Sequence, residues 1–180
     1  MRLFIGIPIP ADLTAKLSAL QRDLGSKDSG LRWSSPESWH ITLQFLGHVE
    51  LEQLSSLNTL LAQVHAEPVP VQMGGLGVFL RAGIFHVEIN PTEKLLRLQQ
   101  QVVAATARCG FASEDRPYRP HITLARAKGD QGRRHLDDLK SRAKAHRLVP
   151  SFLAPEFLLY ESHLSPSGST YEIRARYTLQ

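Results

Sequence analysis

The tetrapeptide His40-Ile41-Thr42-Leu43 occurs a second time as His121-Ile122-Thr123-Leu124, about 80 residues further along the chain. Each copy follows a proline (Pro36 and Pro120), has an arginine close before it (Arg32 and Arg119), and lies in a β-type pattern. An identical repeat with matching flanks limits the fold to one that holds two equivalent strands. In a strand, residues i and i+2 share a face and lie about 6.6 Å apart. His40 and Thr42 therefore share one face, and Ile41, Leu43 and Phe45 are expected on the other, packed against helices. His121 with Thr123, and Ile122 with Leu124, divide in the same way. Laid side by side about an approximate two-fold, the strands would bring two His–Thr pairs to one cleft. A duplication kept only for packing would leave Ile-x-Leu behind rather than His-x-Thr.

The rest of the chain reads as alternating strands and helices. Strands are expected at residues 2–8, 39–46, 69–73, 76–80, 84–89, 121–126, 156–164 and 170–179, with Gly74, Gly75 and Gly83 as punctuation. Leu13, Leu17, Leu20 and Leu24 mark one helix, which Gly25 and Ser26 end. Leu51, Leu54, Leu57, Leu61 and Val64 mark a second. Asn90-Pro91-Thr92-Glu93 opens a third, with Leu95, Leu98, Val102 and Ala105 inward, and a polar fourth is expected at residues 133–146. Strands and helices mix without a strict βαβ rhythm, so the class is α+β. At 180 residues the chain makes one domain or two small lobes sharing a core. Its 42% hydrophobic and 21% charged residues exclude a disordered tail, a collagenous repeat and a charged coiled coil.

One cysteine, Cys109, excludes an intramolecular disulfide framework and a multi-cysteine zinc site. No run approaches the roughly 18 apolar residues of a membrane span, and Leu3-Phe4-Ile5-Gly6-Ile7 is too short for a signal peptide core. The expectation is a soluble, cytoplasmic protein, not membrane-bound. The 21 basic residues divide into 15 arginines and 6 lysines. Arginine's planar fork suits phosphate oxygens, and the net charge of +4 permits a nucleic-acid partner without demanding one.

Two imidazoles across a cleft suit phosphodiester hydrolysis, which needs a base for the attacking water and an acid for the leaving oxygen. Histidine's ordinary pKa near 6.5 allows one copy to be neutral and the other charged. Thr42 and Thr123 could donate to the non-bridging oxygens, and Arg126 could add a fixed positive charge. A strained five-membered cyclic phosphate needs no metal, and the sequence has no acidic cluster suited to magnesium. The residues alone leave open which imidazole is acid and which is base.

The doubled H-x-T motif resembles the two-histidine (2H) phosphoesterase superfamily. The flanks resemble its RNA 2′,3′-cyclic phosphodiesterase branch, also called the LigT-like or 2′-5′ RNA ligase family. The likeness runs from Arg2-Leu3-Phe4-Ile5-Gly6-Ile7 through Trp39 to Gly47 and Arg116 to Arg126, and on to Leu159-Tyr160-Glu161-Ser162 and the Tyr171 strand. It implies a single bilobal domain over residues 1–180. In it, two pseudo-symmetric lobes, each an antiparallel sheet with outer helices, flank a central cleft carrying both motifs. It also implies metal-independent, cofactor-free opening of an RNA-terminal 2′,3′-cyclic phosphate to a 2′-phosphomonoester. By that resemblance His40 donates a proton to the departing 3′-oxygen and His121 accepts another from the attacking water. Thr42, Thr123 and Arg126 hold the phosphate. ATP-independent 2′-5′ ligation of RNA ends is a secondary implication, and the partner is an RNA 3′ end met by a monomer. Two rivals stay open: a non-catalytic RNA-end or nucleotide-binding module, and an enzyme acting on small cyclic nucleotides or ADP-ribose 1″,2″-cyclic phosphate.

Other signals are weaker. Phe4 and Tyr118 are candidates for stacking on a nucleobase, although Phe4 also reads as core. His86 alternates with Phe85 and Val87 and could face the cleft. His48 is expected in solvent, His65, His135 and His146 on polar helices at the surface, and His163 is undecided. None of these makes the short His-x₃-His spacing of a zinc enzyme. Met73-Gly74-Gly75-Leu76-Gly77 lacks the Lys-Ser/Thr of a phosphate loop and reads as a hairpin or bulge. Gly129 to Arg134 reads as a loop, and Ser165 to Ser169 as a turn.

Overall fold

The computed structural model describes residues 1–25, 30–112, 115–144, 146, 150–165 and 168–180. In chain order its elements are β1 (Arg2–Pro8), α1 (Ala11–Leu24), β2 (Leu31–Trp33), β3 (His40–His48), α2 (Leu51–Leu61), β4 (Val69–Phe79) and β5 (Ile84–Asn90). They continue with α3 (Glu93–Ala107), β6 (His121–Ala127), α4 (Gly129–Ala143), β7 (Ser151–Ala154), β8 (Glu156–Ser165) and β9 (Gly168–Thr178). The α1 leucines at 13, 17, 20 and 24 are all buried, and the Gly25 amide closes the last turn onto the Gln21 carbonyl. The Thr92 hydroxyl caps α3 by accepting from the Leu95 amide, and Glu50 with Gln53 forms a capping box on α2.

The strands make two antiparallel sheets, ordered β3-β1-β8-β9 and β2-β6-β5-β4-β7. Read outward from each motif strand, β3-β1-β8-β9 matches β6-β5-β4-β7, with β2 added beyond β6. The α+β, two-lobed expectation holds. Buried side chains of both lobes form one continuous core, with Leu3, Ile5, Leu43 and Leu57 in the same cluster as Val71, Phe85, Leu98 and Leu124. A smaller cluster of Phe4, Leu158 and Tyr160, joined by Tyr171, lies apart from it.

Several elements differ from expectation. The motif strands are not side by side: β3 pairs with β1, and β6 with β5 and β2. Residues 69–79 are one strand, because Gly74 and Gly75 are absorbed as a bulge between Met73 and Leu76. The loop-like Gly129 to Arg134 is the first part of α4. Gly132 is buried there against the Gly30 backbone, where any Cβ would collide with the Gly30 carbonyl oxygen. Glycine at that position permits a close helix–turn approach instead of breaking the helix. Helix α2 stops at Leu61, so Val64 packs from the following turn, and Thr106 instead of Ala105 completes the buried face of α3. Ser26, Pro166 and Ser167 lie outside the described residues.

Both motif strands carry the same irregularity. In the β1–β3 ladder Gly6 pairs with Thr42 and Ile5 with Gln44, leaving Leu43 as an extra residue. In the β5–β6 ladder His86 pairs with Thr123 and Phe85 with Ala125, leaving Leu124 as an extra residue. Each bulge falls directly after the motif threonine and reverses the alternation beyond it.

Candidate active site

Each motif histidine stands at the first residue of its strand and is held by the carbonyl two residues before it. His40 Nδ1 is 2.7 Å from the Ser38 carbonyl oxygen, and His121 Nδ1 is 2.8 Å from that of Arg119. A carbonyl can only accept, so both Nδ1 atoms carry the proton and both Nε2 atoms are free for chemistry. The two imidazoles are therefore held in the same tautomer by the same local device.

Their surroundings differ. His40 lies against Phe4 (ring centroids 4.5 Å), Tyr171 (5.1 Å) and Tyr160 (5.8 Å), an apolar nest. His121 lies against Phe79 (5.0 Å) and a third imidazole, His86 (5.4 Å), which itself stacks on Phe79 at 3.9 Å. Burial pushes His40 down to about 4, partly opposed by the Ser38 carbonyl, and the charges of His121 and Arg126 push it further. Burial also lowers His121, opposed by the Arg119 carbonyl and reinforced by Arg126. His40 feels His121 and Arg126, and β3 touches β6, so the two motifs face one groove. Tyr118 ties its walls together, its hydroxyl donating to the Thr42 carbonyl at 3.0 Å.

The twin bulges decide what else lines the groove. Arg126 comes five positions after His121, an odd offset that would turn the arginine to the opposite face in a regular strand. The extra Leu124 restores it to the histidine's face. In the first lobe Leu43 does the same for Phe45, against the expectation that it packs under helices. Instead Phe45 is 56% exposed, with its ring 6.0 Å from Phe4, and Gln44 turns inward to accept from Thr106 at 2.7 Å. The groove thus has a cation on one wall and an aromatic ring at the matching point of the other.

Residues 10–164 match the 2′-5′ RNA ligase superfamily. The chain belongs to that superfamily. The superfamily member is 30% identical over 179 residues to the RNA 2′,3′-cyclic phosphodiesterase of Bacillus subtilis (strain 168), covering 94% of this chain and 92% of that one. It is 28% identical to the protein of the same name in Methanocaldococcus jannaschii, covering 96% and 98%. The crystal structure of E. coli LigT complexed with 3′-AMP superposes with a TM-score of 0.81 at 25% identity, covering 99% of this chain and 97% of that one. A crystal structure from Thermus thermophilus superposes with a TM-score of 0.76 at 27% identity, covering 99% and 98%.

The other candidate residues of this superfamily member take varied places. Phe4 is 3% exposed, with Tyr160 stacked on it at 4.9 Å, so it forms the floor beneath His40 and has no open ring face for a base. Tyr118 is half-buried and engaged with Thr42, and burial raises its hydroxyl pKa. His86 is on the groove face, opposite Thr123, but only 2% exposed. His48 is exposed beside Glu50, His65 is exposed beyond the end of α2, and His135 sits on α4 bonded to the Gln131 carbonyl. His146 is partly buried beyond α4, contrary to a surface helix position. Among the described residues one group is close enough to share an ion, Glu161, His163 and Glu172 on the β8–β9 hairpin. Arg174 already bridges its two carboxylates, and it includes neither motif histidine. Strict alternation misses Phe45, because a bulge leaves no local signal in the sequence. Aligning the two copies puts Phe45 and Arg126 at the same offset, which is the available clue.

Proposed function

We propose that this chain is an RNA 2′,3′-cyclic phosphodiesterase that works without a metal. The observation that carries the reading is the pair of imidazoles, each locked by a backbone carbonyl with Nε2 free, on facing strands of one groove. Water attacks phosphorus, its proton passes to His121 Nε2, and the phosphorus–O3′ bond breaks as His40 Nε2–H protonates the departing oxygen. The products are a 2′-phosphomonoester and a free 3′-hydroxyl, and solvent returns the histidines to their starting states. Thr42, Thr123 and Arg126 hold the non-bridging oxygens, where preorganised donors act most strongly on developing charge. The names of the relatives support the substrate class. Phe45 offers the open ring for the terminal base that Phe4 lacks. The aromatic nest favours the neutral form of His40 in the empty groove, and the bound phosphate anion supplies what raises it for its role as acid.

We read residues 1–180 as one bilobal unit acting as a monomer in the cytoplasm, where a lone cysteine stays reduced. No helix among the described residues is long and apolar enough to cross a membrane. Ligation, with a ribose hydroxyl replacing water, is the same displacement and is secondary here.

The test is incubation in EDTA with an oligoribonucleotide ending in a 2′,3′-cyclic phosphate. The cyclic end should open to a 2′-phosphate. His40→Ala and His121→Ala should each lower kcat by about 10²–10⁴. Survival of the cyclic end with the wild-type protein sinks the proposal.

A further inference from the structure

Arg32, the arginine before the first motif, has no part in the chemistry above, yet the fold brings it beside one that does. It lies on β2, outside β6, and its partner across the ladder is Arg126. Its neighbours Leu31 and Trp33 pack on the core, so alternation sends Arg32 to the opposite face. That is the groove face to which the Leu124 bulge delivers Arg126. Side chains directly opposed on an antiparallel pair have Cβ atoms about 4.5–5.5 Å apart, and like charges there are destabilising. Among the described residues no ion pair joins either guanidinium to a carboxylate. An uncompensated cation pair lining a groove fits a polyanion, and two arginine forks fit phosphate oxygens.

The spacing and the polarity of the groove narrow the ligand. The step from Thr123 to Arg126 is matched on β5 by only two residues, from His86 to Ile84. The arginine pair therefore stands about 7 Å along the groove from the threonine beside the reacting phosphate. At the other end Glu88 lies opposite His121, its carboxylate resting over Gly75 and Gly77. A chain of phosphates is repelled at the Glu88 end and drawn out along the arginine end. We propose that Arg32, on the outer strand beyond Arg126, binds the phosphodiester one nucleotide to the 5′ side of the cyclic phosphate and leaves Arg126 to the reacting phosphate, so that an RNA chain is preferred over a mononucleotide. This rests on the cyclic phosphodiesterase reading of the groove.

The experiment compares kcat/KM for a nucleoside 2′,3′-cyclic phosphate and for a trinucleotide ending in the same group, in wild type and Arg32→Gln. The wild type should prefer the trinucleotide, and the substitution should cut that preference by about tenfold, mainly through KM. The dependence of log KM on log salt for the trinucleotide should flatten by about 0.7, the loss of one single-strand phosphate contact. Arg32→Met, a second neutral variant with the alkyl stem kept, serves where glutamine unsettles β2. A preference within about twofold of wild type in either folded variant overturns the inference, since one lost phosphate contact is worth more than that. Failure of the wild type to open either substrate strikes the parent reading instead.

Discussion

His40 and His86 are both held down to about 4, chiefly by burial, and His121 is lowered by the same cause. The free protein thus keeps its groove imidazoles neutral below the usual histidine range. The kcat/KM profile, which reports the free enzyme, should be a bell with both limbs on the acid side of about pH 6.5. The kcat profile, which reports the complex, should move to higher pH because a bound phosphate anion favours imidazolium. A kcat/KM maximum above about pH 7 contradicts this account. The same shifts govern stability. A histidine whose folded pKa is depressed is fully compatible with the fold above about 6.5, and its contribution is lost as pH falls towards about 4. For one fully buried group the slope is at most about 1.4 kcal/mol per pH unit. His86→Phe keeps the stack on Phe79 but removes one titration, so its Tm should fall less steeply than wild type on acidification, as differential scanning would read. The repeat makes His40, Thr42, His121 and Thr123 legible in the sequence. For His86 alternation offers only a choice of faces, since its place beside His121 depends on ladder register between strands about 35 residues apart.

At the scale of elements, the twin bulges do what residue identity alone does not. They let a regular apolar pattern run up to the motif threonine and then exchange faces, which puts Arg126 and Phe45 in the groove and Gln44 in the core. Strict alternation predicts the first four positions of each motif strand and fails beyond them for this reason. The short strands β2 and β7 span 3 and 4 residues, too few for any periodicity to register. Helix α4 reads too short in the sequence because Gly-Asp-Gln-Gly has turn chemistry, whereas its glycine serves a tertiary contact with Gly30. Gly6, which pairs with Thr42, shows how tightly the first lobe is set. A Cβ there would stand 2.9 Å from the Ile41 carbonyl oxygen and 3.4 Å from His40 Cδ2. Backbone cannot yield cheaply, so Gly6→Ala should push β1 from β3 and tilt the His40 ring. The expected cost is about 1–3 kcal/mol in urea unfolding, with a fall in kcat larger than any change in KM. Wild-type kcat in this variant would show that the β1–β3 spacing does not hold His40.

Over the whole molecule, two lobes of matching strand order must keep two imidazoles at a fixed separation although no ladder joins β3 to β6. The shared core gives the coarse spacing, and polar contacts between the lobes refine it, two of them beside the motifs. Thr106 of α3 donates to Gln44 of β3, and Tyr118, three residues before His121, donates to the carbonyl of Thr42. β3 is an edge strand, so that carbonyl has no ladder partner on its outer side. The tyrosine thereby converts an edge group into a link between the motifs. Tyr118→Phe keeps the ring and its packing and deletes only the hydroxyl. A stacking platform for a base would survive that change untouched. A clasp would not: the Thr42 carbonyl would be left half-buried without its donor, at about 1–3 kcal/mol. The groove would hold its imidazoles at a less constant distance. The expected result is a lower urea midpoint and a several-fold drop in kcat at nearly constant KM, because a misplacement of about 1 Å costs rate more than binding. Unchanged kcat and unchanged stability in Tyr118→Phe would remove the clasp and leave the shared core alone to set the distance between the two histidines.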